Sequence, residues 1–95
     1  MGGVATAREG PKTVVAFRGE LDAATCAQLD SEFAAALDSD CEEIVLDLSE
    51  LAFLDSSGLR SILRARTHAR DAGKRFELVR PGGMAQRALD VSGLG

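Results

Sequence analysis

The sequence predicts a small α/β domain: a four-stranded, mostly parallel mixed sheet with about three helices. Three observations carry this. Thr13 to Phe17 and Ile44 to Leu48 are rich in branched apolar residues and read as strands. Apolar residues recur at helical spacing between and after them, over Ala23 to Leu37 and from Leu59 to Ala72. Strands joined by helices lie parallel with right-handed crossovers, so the helices cover the sheet.

Taken in order, Val4 to Arg8 reads as a short strand and Glu9 to Lys12 as a turn, so the first two strands make a hairpin. Gly19-Glu20-Leu21-Asp22 leads out of the second strand, and Asp22 suits a helix cap. The first helix carries an apolar stripe of Cys26, Leu29, Phe33, Ala36 and Leu37, three and four residues apart. Asp38 to Cys41 is a polar turn. Ile44 to Leu48 is apolar enough to be central in the sheet. Leu59, Ile62, Leu63 and Arg66 line one side of the second helix, which Gly73 ends. Arg75 to Val79 is the last strand, Pro81-Gly82-Gly83 breaks the chain, and Met84 to Val91 is a short third helix. The expected core is Val15, Phe17, Leu29, Phe33, Val45, Leu46, Leu63 and Val79.

Ninety-five residues make one domain, spanning 1–95, and 45% apolar content supports one core. No apolar run approaches the length of a membrane span, and the N-terminus lacks a signal peptide's apolar stretch. Cys26 and Cys41 are not spaced as metal ligands and read as reduced thiols of a cytoplasmic protein. His68 stands among arginines with no second histidine, which makes it a solvated surface residue and leaves no metal site. A net charge of −4 argues against direct binding to nucleic acid. The charge reverses along the chain: Glu20 to Asp55 holds eleven acids and no base, and Arg60 to Arg87 holds eight bases against Asp71 and Glu77. Most of these charges are solvated faces, but those beside Ser56 suit an interface read by electrostatics.

The run Phe53-Leu54-Asp55-Ser56-Ser57-Gly58-Leu59 puts an acid, two hydroxyls and a glycine at a strand-to-helix junction. A helix start leaves backbone N–H groups without partners, and these favour hydroxyl or phosphate oxygens. Asp55, Ser56 or Ser57 serves as the helix cap, and the same turn suits a phosphorylatable serine. Ligands meet the carboxyl ends of strands in such sheets. Gly19 to Asp22, Leu54 to Gly58 and Arg80 to Gly83 therefore share one edge. Catalysis lacks support: a serine nucleophile needs a base in reach, and His68 lies about three helical turns beyond Ser56. No glycine-serine-glycine elbow or Walker-type phosphate loop is present, so no cofactor is expected.

These motifs together resemble a STAS domain of the anti-sigma factor antagonist type. The resemblance rests on Gly19-Glu20-Leu21-Asp22, on Ile44 to Ser49, on Phe53 to Leu59, and on Ser92-Gly93-Leu94, in order and over nearly the whole chain. It implies that Ser56 is the phosphorylated serine and that Asp22, Asp55, Ser57, Gly58 and Arg60 belong to the partner-binding surface around it. It implies as partners an anti-sigma factor that is also an ATP-dependent serine kinase, and a PP2C-type phosphatase. Unphosphorylated antagonist binds the kinase and frees the sigma factor; phosphorylation switches binding off. The protein is then a substrate and a binding module, not an enzyme. The alternative is a STAS module in a larger regulatory assembly, or a small-ligand sensor, without a phosphoserine switch. Arg60 departs from the family pattern, which favours a small residue there. The chain also stops at Gly95, short of the family's last strand and helix, and an uncovered sheet or first helix is expected to give self-association or low stability.

Overall fold

The computed structural model describes residues 2–83 and Arg87. Seven elements follow one another: β1 (Gly2–Glu9), β2 (Lys12–Leu21), α1 (Cys26–Asp38), β3 (Glu43–Asp47), β4 (Leu51–Leu54), α2 (Ser56–Asp71) and β5 (Arg75–Val79). β1 and β2 form the expected hairpin, antiparallel from Gly2↔Gly19 to Glu9↔Lys12. All other pairings are parallel, as helix crossovers require.

Among the described residues the sheet has five strands, not the four expected. β2 is ten residues long and outlasts its β-branched stretch. Its first half pairs with β3, from Lys12↔Glu43 to Ala16↔Asp47, and its second half pairs with β4, from Gly19↔Leu51 to Leu21↔Leu54. β3 and β4 thus divide one side of β2, and β5 flanks β3 on the far side. Leu51 to Leu54 is too short and too uniformly apolar to show a period of two, so it reads in sequence as part of the serine turn. Two helices lie among the described residues, against the three expected. The expected helix Met84 to Val91 falls outside them except for Arg87, which is helical.

α1 and α2 pack together on one face of the sheet. Thr13, Val15, Phe17 and Leu21 of β2, Ile44 and Leu46 of β3, and Leu29, Phe33 and Ala36 of α1 are buried there. Six of the eight expected core residues are buried, and Leu63 and Val79 are only half-buried. The buried stripe of α2 is Gly58, Ser61, Ile62, Ala65 and Ala69, displaced from the stripe read from sequence. Small residues let α2 lie close to the sheet, which pushes Leu59 and Leu63 to the flanks of the contact. On α1, Leu29, Phe33 and Ala36 are buried as expected, whereas Cys26 and Leu37 sit at the margin. Phe33 meets Phe76 of β5 edge-to-face, ring centres 6.2 Å apart. Cys41 is buried instead of lying in a polar turn, because Lys74 Nζ donates to the Cys41 and Ser39 carbonyls, at 2.6 and 2.9 Å, and draws the α1–β3 loop inward.

Candidate functional site

The site is built where β2 and β4 end side by side. Leu21 and Leu54 are register partners, so Asp22 and Asp55 leave adjacent parallel strands at the same level. The Asp55 N–H donates to the Leu21 carbonyl at 3.3 Å, which ties the two loops together. Asp55 is the helix cap: its Oδ1 accepts from the Gly58 N–H at 2.9 Å. The choice that the sequence leaves open among Asp55, Ser56 and Ser57 is thereby made. Ser56 is the first residue of α2 and is exposed; Ser57 is half-buried.

Gly58 is buried against β2. A methyl group there would collide with the Leu21 carbonyl oxygen and stand 2.8 Å from both Leu21 Cγ and Leu54 Cδ1. The helix start therefore rests on the end of β2 at a distance only glycine allows. Gly19 does complementary work. At φ 86° it occupies the left-handed region that favours glycine, beside an irregularity where Gly19 faces Leu51 and Glu20 faces Phe53. Its N–H donates to the Glu50 carbonyl at 3.1 Å. This kink hands β2 from β3 to β4 and so brings Asp22 to the serine turn.

Asp22 is committed to its own loop. Its Oδ1 accepts from the backbone N–H groups of Ala24 and Thr25, at 3.0 and 3.2 Å. Buried Thr25 completes the loop by donating from Oγ1 to the Glu20 carbonyl at 2.7 Å and accepting from the Asp22 N–H at 3.0 Å. Asp22 therefore shapes the turn before α1, and the helix begins at Cys26 rather than Ala23. Arg60 is exposed on α2, four residues beyond Ser56 and so on the same helical face. β5 stops level with Asp47, whereas β4 carries the chain about 13 Å further before the serine turn, so the Arg80 to Gly83 loop leaves the same carboxyl edge at a lower level. Sequence reasoning placed Gly19 and Phe53 within its motifs without giving either a role of its own, and it missed Thr25; Phe53 stands two residues before Asp55 and is 48% exposed.

The reversal of charge along the chain becomes an acidic α1 beside a basic α2. Arg64 Nη2 bridges to Asp30 Oδ2 at 3.2 Å across the two helices. Asp40, fully exposed, is held below the usual carboxylate range by its hydrogen bond from Arg8. Burial pushes the Cys41 thiol up, but hydrogen bonds with Ser39 and Thr13 and the charges of Lys74 and Arg8 bring it below its ordinary value. Both cysteines are free. Among the described residues no helix is long and apolar enough to cross a membrane.

A mixed sheet with its helices on one face and a capped serine turn at its carboxyl edge defines a small α/β module with polar loops at one end. A family model described as "Mlab, STAS domain" matches residues 4–95, and the chain belongs to the STAS domain family. Its fold is similar to that of an anti-sigma factor antagonist from Mycobacterium paratuberculosis, at 25% identity and a TM-score of 0.87, over 99% of this chain and 80% of that one. It is also similar to the anti-sigma factor antagonist SpoIIAA in its unphosphorylated form, at 23% identity and a TM-score of 0.83, over 98% and 83% of the two chains. The Bacillus cell fate determinant SpoIIAA in its phosphorylated form matches at 23% identity and a TM-score of 0.76, over 98% and 86%.

Proposed function

We propose that this STAS domain is an anti-sigma factor antagonist of the cytoplasm, switched at Ser56. In the unphosphorylated form it binds an anti-sigma factor that is also a serine kinase, and so releases a sigma factor. The kinase transfers the γ-phosphoryl group of ATP to Ser56 Oγ, ADP leaves, and the serine proton passes to a base of the kinase. The phosphorylated form no longer binds, and a PP2C-type phosphatase hydrolyses the ester. The chain itself catalyses nothing.

One observation carries this reading: Asp55, not serine, caps α2, so the exposed Ser56 hydroxyl can be modified without loss of the cap. Phosphate there adds about −1.5 to −2 charge. Asp55 and Asp22 oppose it, while the helix start and Arg60 one turn away favour it. The fold survives, and the effect falls on the partner's surface, where an unpaired dianion is costly to desolvate. Similarity to SpoIIAA, whose structure exists in unphosphorylated and phosphorylated forms, supports the same reading.

The test is incubation with candidate anti-sigma kinases and ATP, followed by mass-spectrometric mapping. Phosphate on Ser56 supports the proposal. Tight binding to such a kinase with no phosphate on the chain would favour a STAS module that works without this switch.

A further inference from the structure

Phe53 is the exposed large hydrophobic residue of the described surface, at 48% exposure. Single exposed apolar side chains are ordinary on proteins. The position of this one is not. Leu54 of β4 turns into the core with its partner Leu21, so Phe53 and its register partner Glu20 share the outer face, opposite the helices. Phe53 precedes Ser56 by three residues on a strand that ends in the serine turn. Glu20 and Glu50 lie alongside, with Asp22 and Asp55 at the strand ends. Arg18, two residues before Glu20 on β2, bounds this acidic patch.

An exposed aromatic ring three residues before a modifiable serine, with Glu20 and Glu50 on the neighbouring surface, has the anatomy of an interface core with a charged rim. Its complement is an apolar pocket flanked by lysine or arginine side chains. We propose that Phe53 is the anchor by which this domain docks on its anti-sigma kinase, filling an apolar pocket with a basic rim next to the kinase active site. This rests on the functional reading above and adds what holds the two proteins together. The anchor works before phosphoryl transfer, in both the resting complex and the encounter that delivers Ser56. Phosphorylation three residues away then places a dianion at the rim of the same contact.

The experiment uses the full chain and a kinase shown to phosphorylate Ser56. Wild type, Phe53→Ala and Phe53→Leu are compared by calorimetric titration at low and high salt, and by the kinetics of Ser56 phosphorylation. Thermal melting checks that the variants fold, which half-exposure of the ring favours. Phe53→Ala is expected to weaken binding by about tenfold or more, as interface anchors do. It should raise KM for phosphorylation with kcat unchanged, and Phe53→Leu should recover part of the loss. Salt should weaken wild type and both variants by the same factor, because the acidic rim persists. Binding of Phe53→Ala within twofold of wild type, with Ser56 still phosphorylated, overturns the anchor and leaves the functional reading standing. Sedimentation showing that wild type self-associates and Phe53→Ala does not would assign the ring to a second copy, and also overturns it.

Discussion

Gly58 lies so close to the carbonyl of Leu21 that no side-chain carbon fits between them. This contact is the hinge between the two halves of the site. It seats the start of α2 on the end of β2 and thereby fixes Ser56 relative to Asp22. The hydrogen bond from the Asp55 N–H to the same carbonyl reinforces the seat.

Gly58→Ala is expected to push α2 off the strand end. Overpacking of this kind costs about 1–3 kcal/mol, which in a domain of this size lowers Tm by roughly 4–8 °C per kcal/mol. Thermal melting of the variant checks it, and an unchanged Tm would show that the helix start can move aside freely.

The cap gives a sharper contrast. Asp55→Ala should lose about 0.5–2 kcal/mol by freeing the Gly58 N–H. Ser56→Ala and Ser57→Ala should each stay within about 0.5 kcal/mol of wild type. Urea denaturation of the three variants decides it. A large loss in Ser57→Ala with none in Asp55→Ala would move the cap to the second serine.

Phe33→Ala tests the core. Phe33 is 3% exposed and stacks edge-to-face on Phe76, which joins α1 to an outer strand of the sheet. Removing the ring should cost about 3–5 kcal/mol. A loss under about 1 kcal/mol in denaturant melts would mean that the helix does not depend on this contact.

Much of this was legible in the chain because the signals were long. Thr13 to Phe17 is rich in branched apolar residues, and Leu29, Phe33 and Ala36 recur at helical spacing, so β2 and α1 were legible as elements. The serine turn was legible because acid, hydroxyl and glycine stand together. What escaped depends on neighbours rather than on local pattern. β4 is four residues long and exists because β2 outruns β3. The buried face of α2 is centred on Gly58, Ala65 and Ala69, and small residues bury well only where a strand end comes close. Cys41 sits in a segment of polar sequence and is buried by Lys74, which arrives from 33 residues further on. Thr25 became visible only through its hydrogen bond to the Glu20 carbonyl.

Ser56→Ala should bind the kinase partner with near wild-type affinity and resist phosphorylation. Ser56→Asp should fold normally and bind poorly, since a carboxylate in the contact must be desolvated without a partner. Titration calorimetry with each protein reads this directly. Equal affinity for wild type and Ser56→Asp would remove the switch from this residue.

On the proposed switch, Arg60 stands one helical turn from the phosphate on Ser56. In the unphosphorylated protein Arg60 is exposed, one helical turn from an uncharged serine, so Arg60→Ala should leave the melting temperature almost unchanged. Phosphorylation turns that position into a charge pair at spacing i, i+4, worth about 0.3–0.5 kcal/mol when exposed. It also places a dianion at the favourable end of the α2 dipole, for about 0.3–1 kcal/mol. Repulsion from Asp55 and Asp22 acts against both. Phosphorylated wild type should therefore melt within a few degrees of the unmodified protein, by the conversion from free energy to Tm used above. Phosphorylated Arg60→Ala should melt lower than its own unmodified form, by a margin that shrinks as salt screens the repulsion. Calorimetric melts of the four species at two salt concentrations check this. If phosphate lowers the Tm of wild type and Arg60→Ala equally, Arg60 takes no part in holding the modified turn, and the helix start alone carries the charge.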